Sequence, residues 1–395
     1  MDHCVKIPAL GADDHPVFPR SSPMTPRATP PFRADHVGSL LRPRRLLDAR
    51  RDAAEGRIGA DALRAVEDDA ILEAIRMLEA VGMPSVTDGE FRRTSWHMDF
   101  IYAIGGITRS DSSVAVHFKN SAGDLTFDSA TPRASGRITI DEPIFGDAFA
   151  FVRDHTRAGT PKLTIPSPSM VHYRGGASML DPAVYPDEEE FWEDLAAAYA
   201  NELAGLARLG CRYVQLDDTS LAYLNDPTQR ALVASQGGDP AHQHERYISV
   251  MNAAISGRPE GLAVTTHLCR GNYRDSWAAE GSYEFVAEAL FGQLDVNGFF
   301  LEYDDERSGG FEPLRFVPPG KYVVLGLVTT KRSALESKDT LKRRIEEASR
   351  YIPLEQLCLS PQCGFSSTVE GNSLSPDDQR AKLQLVVETA AEVWG

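Results

Sequence analysis

Residues 265–272 read Thr-Thr-His-Leu-Cys-Arg-Gly-Asn and continue an apolar run that begins at Leu262. Alternate residues of a strand share a face, so a strand here would project His267 and Cys269 together. Glu302 in GFFLEYD (298–304) and Cys363 in LCLSPQCG (357–364) extend the set. One imidazole, two thiolates and a carboxylate make a tetrahedral Zn²⁺ shell of borderline-soft character. Its ligands would come from three separate strands, which excludes a local zinc ribbon. The same residues equally suit a plain core, with Cys363 a small buried hydrophobe and His267 a hydrogen-bonded histidine.

A second set pairs Glu90, at the end of PSVTDGE (84–90), with Asp217, which Asp218 follows in YVQLDD (213–218). Two carboxylates at one mouth suit an ammonium group or general acid–base work. Ion pairing with Arg92, Arg93 or a helix N-terminus would use them as well. The turn Val37-Gly38-Ser39 offers backbone N–H groups and a hydroxyl to a carboxylate, or simply ends a strand.

Positioning these residues requires strands that end at one place. Eight short aliphatic runs occur at 34–39, 84–90, 162–169, 213–218, 262–269, 298–304, 322–328 and 357–364. Between them, Ala-, Glu- and Leu-rich segments predict helices at 44–81, 187–209, 240–257, 282–291, 337–350 and 376–393. The last opens with Ser375-Pro376, a cap followed by proline at the first helical position. Eight strands with helical crossovers predict an α/β fold, a closed (β/α)₈ TIM barrel whose strand ends converge on one mouth. Residues from about 100 to 160 alternate like antiparallel strands and predict a β-hairpin insertion after the second strand. The domain division is a disordered N-terminal extension over 1–32 and one barrel over 33–395.

Bulk properties narrow the chemistry. The chain of 395 residues is 42% hydrophobic and 25% charged, an ordinary globular balance. Its net charge of −16, from 41 basic and 57 acidic residues, argues against nucleic acid or an anionic membrane as partner. No apolar run approaches the ~20 residues that span a bilayer. Cys4, Cys211, Cys269, Cys358 and Cys363 are too scattered for a disulfide scaffold. The polar, Pro-rich start has no signal-peptide core, and Met24 offers an alternative start. A reducing cytoplasm is the simplest location.

Six ordered motifs, DHVGSLLRP, VTDGEFRR, YVQLDD, THLC, FFLEYD and LSPQCGF, together resemble the catalytic barrel of the cobalamin-independent methionine synthase family. The likeness is greatest to short, single-barrel members and runs from about Phe32 to the C-terminus. It implies His267, Cys269, Glu302 and Cys363 as ligands of Zn²⁺. It also implies homocysteine at the mouth, its amino group near Glu90 and Asp217 and its carboxylate near Val37, Gly38 and Ser39. The methyl group would come from 5-methyltetrahydrofolate or another methyl donor, through a pocket that could include Trp96, His97, His172, Tyr173, Asp218 and Tyr223.

The donor half departs from the family pattern. Val328 stands where a proton-donating histidine is expected, so the proton donor is unassigned. His172 and Tyr173 replace an expected tryptophan, and Tyr223 or its neighbours an expected acidic contact. Lys331 and Arg332 could meet an anionic donor tail. Alternative readings are an epoxyalkane–coenzyme M transferase-like enzyme acting on another thiol, a metal-free uroporphyrinogen-decarboxylase-like lyase, a zinc hydrolase and a non-catalytic zinc protein. A partner protein or homodimer stays open.

Overall fold

A computed structural model describes residues 27–120 and 123–395. β1 (Ser85–Val86) is followed by an antiparallel hairpin of β2 (Gly105–Asn120) and β3 (Gly123–Thr139), then by β4 (Thr160–Pro161). β4 runs parallel to β1, pairing Ser85 with Thr160 and Val86 with Pro161. One residue later the chain continues as β5 (Leu163–Pro166). β6 (Tyr213–Asp218), β7 (Ala263–Leu268), β8 (Gly298–Glu302), β9 (Tyr322–Val328) and β10 (Leu357–Pro361) follow. β5 to β10 form one parallel sheet in sequence order. Nearly every residue in it is buried, as parallel strands covered on both faces must be.

The first expected strand, 34–39, does not form a regular ladder. Only Ala34 bridges Leu359 of β10, flanked by Asp35 N donating to Leu359 O at 3.0 Å and Leu359 N to Arg33 O at 2.8 Å. Beyond it the backbone turns at Gly38, whose φ of +143° few other residues adopt. A β-carbon there would also lie 2.6 Å from Thr164 Cγ2. The join to β1 is made instead by Leu40 N on Gly89 O at 3.1 Å and Thr87 Oγ1 on Gly38 O at 2.7 Å.

A buried polar network reinforces this join. Asp35 accepts hydrogen bonds from Ser85 Oγ at 2.6 Å, Tyr213 OH at 2.8 Å and Lys162 Nζ at 3.2 Å. Lys162 also donates to His36 O at 2.5 Å and lies 4.3 Å from the Phe300 ring centroid. One carboxylate thus ties the 34–39 segment to β1, to β6 and to the residue that joins β4 to β5.

The helices fall where the periodicity places them, with one division. The segment 44–81 is two helices, Arg44–Ala54 and Ala60–Ala80, separated at Gly56, whose φ is +72°. Ser375 and Asp378 form a reciprocal capping box on Pro376–Trp394, satisfying N–H groups that the first turn leaves unpaired. The hairpin insertion ends at Thr139, and an additional helix, Gly146–His155, returns the chain to the barrel. Lys119 and Trp277 exchange backbone hydrogen bonds of 2.7 and 3.0 Å, docking the hairpin onto the loop after β7.

The expected disordered extension lies, over residues 1–26, outside the described residues. At its inner end Phe32 is buried edge-on to Tyr213, and Arg27 covers the Tyr322 ring at 3.4 Å. No described helix is long and apolar enough to cross a membrane.

Two stability predictions follow from buried charges. Removing one partner of a buried ion pair strands the other, so Lys162→Met should cost about 3–5 kcal/mol in urea denaturation at neutral pH. Glu202, which accepts Ile144 N at 2.9 Å, has its carboxyl pushed up to about 7 by burial. The native state therefore holds a proton that the unfolded chain releases between its ordinary carboxylate range and pH 7. Stability falls across that window as pH rises. Glu202→Gln should match the native protein near pH 4.5 and exceed it by about 3 kcal/mol at pH 8, read from denaturation curves across pH.

Candidate metal centre and cavity

The parallel register brings the strand ends together. Asp217 of β6 pairs with His267 of β7, and Glu302 of β8 with Gly326 of β9. Counting by twos, Gln215 and Asp217 share the inward face with Thr265 and His267, and Phe300 with Glu302. Cys269 follows two residues after His267 and keeps the pairing, its N–H donating to Asp218 O at 2.7 Å.

Cys363 arrives by a different route. Cys358 packs with Val37, Phe300 and Val324 inside the barrel, so strict alternation would bring Gln362 rather than Cys363 to the interior. The ladder slips between Ser360 and Pro361, an irregularity that re-aims the following side chains. Gln362 Oε1 instead accepts Thr330 N at 2.7 Å, and Cys363 Sγ comes to 3.5 Å from Cys269 Sγ.

Ligating atoms of His267, Cys269, Glu302 and Cys363 all lie within 4.8 Å of one another, and all four residues are buried. Among the described residues, neither buried ring nitrogen of His267 has a hydrogen bond of good geometry, although, against the effect of burial, the Cys363 sulfur is close enough to raise the ring's proton affinity. Two sulfurs on one tetrahedral ion would stand about 3.8 Å apart, close to the spacing found. Orphaned imidazole nitrogens beside two sulfurs and a carboxylate fit a shared metal ion.

The surroundings hold this set in place. Glu302 Oε1 accepts Arg270 N at 2.9 Å, and its Oε2 faces Arg307 Nη2 at 3.3 Å. Gly271 N donates to Cys269 Sγ at 3.3 Å. A β-carbon on Gly364 would lie 1.9 Å from Ser39 Oγ, so glycine lets the Cys363 loop close on the 37–39 turn. Burial raises the Glu302 carboxyl, while Lys331 and Arg307 oppose the rise. Lys331 is itself buried beside the centre, which corrects its expected place on a donor tail; Arg332 is exposed.

A cavity of about 560 Å³ opens from the centre. His267, Cys269 and Cys363 line its floor together with Val37, Ser39, Glu90 and Asp217, whereas Glu302 stands behind them. Glu90 has a φ of 61°, a strained conformation for this residue, fixed by Asp88 Oδ1 accepting its N–H at 2.8 Å. Its Oε1 accepts Thr164 Oγ1 at 2.8 Å, and its Oε2 is buried without a partner among the described residues. Burial pushes the Asp217 carboxyl up to about 7 and also raises Glu90. Glu90 Oε1 also lies 3.7 Å from the buried Arg93 Nη1, the ion pair its sequence position allowed, so Asp217 and Glu90 Oε2 are the acceptors left toward the cavity.

The expected donor residues divide. Trp96 and Tyr223 line the cavity, as does His97. His172, Tyr173 and Asp218 do not. The helix Ser169–Tyr173 turns His172 onto Trp192 and Tyr247, and Tyr173 OH donates to Gln229 Oε1 at 3.1 Å. Asp218 faces away from Asp217 by strand alternation and accepts Leu221 N at 2.7 Å and Ser220 Oγ at 3.0 Å. Val328 is buried core at the end of β9. Sequence reasoning missed Arg174 and the hairpin residues Phe118 and Phe127, all on the cavity wall. Arg174 was visible beside Gly175 and Gly176, but nothing local distinguishes it from a solvated arginine.

Residues 168–392 match the family model described as the cobalamin-independent synthase catalytic domain. The Bacillus subtilis (strain 168) protein YxjH, whose activity is uncharacterised, is 42% identical across 92% of this chain and 95% of its own. A methionine synthase of Pyrococcus abyssi is 26% identical across 83% of this chain and 85% of its own. Among solved structures, a Listeria monocytogenes protein provisionally named a vitamin-B12-independent methionine synthase superposes with a TM-score of 0.73. It is 36% identical, and the match covers 93% of this chain and all of that one. A barrel whose strand ends gather a metal-ligand set, together with these matches, makes this chain a member of the cobalamin-independent methionine synthase family.

Proposed function

We propose that this protein is a zinc-dependent methyltransferase that methylates the sulfur of homocysteine to give methionine. The observation that carries the reading is the buried His267, Cys269, Glu302 and Cys363 set, its ligating atoms within 4.8 Å of one another, opening on a cavity floored by Glu90 and Asp217. The family relationship supports it.

Zinc, when bound, would hold the substrate thiol as a thiolate at neutral pH, where a free thiol is mostly protonated. His267, Cys269 and Cys363 would hold the ion on the cavity side. Glu302, behind them and held by Arg270 N and Arg307, would complete the ligand set from the side away from the cavity. Glu90 and Asp217 would take the ammonium group of the substrate. The 37–39 turn would meet its carboxylate, because Val37 and Ser39 border the same floor.

Paired buried carboxylates favour an amino-acid thiol over a sulfonate thiol, which offers an anion and no ammonium. Two cysteine ligands favour thiol activation over hydrolysis by zinc-bound water or metal-free decarboxylation. Methylfolate is the donor the family suggests, and the donor half of the cavity is the part this chain has altered. A cytoplasmic location fits the free cysteines at 211, 269, 358 and 363.

Purified protein should contain about one zinc ion per chain and form methionine from homocysteine and a mono- or polyglutamylated methylfolate. Cys363→Ser should lose both zinc and methylation, scored by metal analysis and methionine release. Full activity with the metal stripped away would refute the assignment. Glu90→Gln should raise the homocysteine KM on the order of ten- to a hundredfold with zinc retained, since it removes one charge-assisted contact.

A further inference from the structure

Among the described residues, β1 pairs only with β4, and no ladder joins it to β10 at the edge of the six-stranded sheet. The irregular 34–39 segment fills that seam. The two ends of the proposed substrate site lie on either side of it. Cys363 enters from the loop after β10, and Glu90 from the loop after β1. Strand register therefore does not fix how far Glu90 stands from the metal ligands.

Arg42 sits in the seam. It is 7% exposed and does not border the cavity. Its Nη1 donates to Ser366 O at 2.9 Å, Ser366 Oγ at 2.8 Å and Thr368 O at 2.9 Å, all in the loop that carries Cys363. Its Nη2 donates to Glu90 O and Arg93 O, each at 3.0 Å. Each arm of one planar, rigid fork thus holds a different loop. No described carboxylate pairs with Arg42; its acceptors are carbonyl and hydroxyl oxygens.

Glu90 is the residue most in need of such a hold. Its φ of 61° is a conformation that persists only where the surroundings over-determine it. Glu90 O accepts Arg42 Nη2 and Arg93 N together, so the backbone is fixed from the carbonyl side. Thr164 holds the side chain separately. The other bonds between the β10 loop and its neighbours, Trp96 N on Ser367 O at 3.1 Å and Ser366 N on Ser39 Oγ at 3.4 Å, do not reach Glu90.

We propose that Arg42 is a positioning residue that sets the distance between Glu90 and the metal centre, and thereby the chain length of the amino-acid thiol accepted. This rests on the reading above, in which the sulfur meets the metal while the ammonium group meets Glu90 and Asp217. A thiol one methylene shorter reaches one of those ends and not both.

The test uses the zinc-loaded full chain, with homocysteine and cysteine as calorimetric probes. The native protein should prefer homocysteine on the order of tenfold or more, the worth of one methylene in a fitted site. Arg42→Lys keeps a positive charge but cannot span both loops. It should retain about one zinc ion per chain, bind homocysteine on the order of tenfold more weakly, and lose most of the preference over cysteine. In that background Glu90→Gln should cost less than about threefold, against the ten- to a hundredfold expected alone, because both changes act on one contact. Ser366→Ala removes a single acceptor and should move the preference in the same direction by less, which keeps the test open if Arg42→Lys does not fold. Equal weakening of both thiols would overturn the proposal, since a general loosening has no bearing on chain length. So would a loss confined to stability in urea, or additive losses in the double variant. A native protein that holds zinc and binds no homocysteine would refute the function itself, and the positioning role with it.

Discussion

Two thiols, an imidazole and a carboxylate packed within 4.8 Å of one another and buried from water form an electrostatic constraint on the whole barrel mouth. Ionised, such a set needs a shared cation or neighbouring positive charge to offset it. Arg307 faces Glu302, Lys331 lies buried beside the centre, and Arg270 is enclosed with its guanidinium over the Tyr283 ring at 4.2 Å. These cations lie on the side away from the cavity. The open side therefore keeps its acceptors free for a ligand.

The opposite end of the barrel solves a different problem. The 34–39 segment cannot complete a regular ladder, because Gly38 must turn and present the floor of the cavity. Asp35 compensates by binding Ser85, Lys162 and Tyr213, so that side-chain hydrogen bonds close what backbone bonds leave open. The irregular first strand and the buried network are thus linked, and function at the mouth is supported by polar packing below it.

Acceptor and donor halves of the site have different origins. His267, Glu302 and Asp217 come from strand ends, rigid positions set by the sheet, and Cys269, Cys363 and Glu90 from the first residues beyond β7, β10 and β1. The outer wall comes from loops and from the β2–β3 hairpin, docked through Lys119 and Trp277. Loops and insertions change more easily than strand register. This fits a chain that carries the ligand set its family resemblance implies while departing from the family pattern on the outer wall.

Much of the fold and of the centre was legible in the sequence because both rest on local periodicity. Period-two alternation placed His267 with Cys269, and helical periodicity with the Ser375 cap located the helices; the same alternation turns Asp218 onto Ser220 and Leu221, against its expected place in the donor pocket. Motif order carried the rest of the ligand set. Other features were decided only by contacts distant in sequence. A slip in the β9–β10 ladder, not alternation, delivers Cys363 to the centre. Packing against the helix Gln243–Ile255 turns His172 and Tyr173 out of the cavity. Alternation is a property of the backbone itself, whereas the aim of a loop side chain depends on what packs against it.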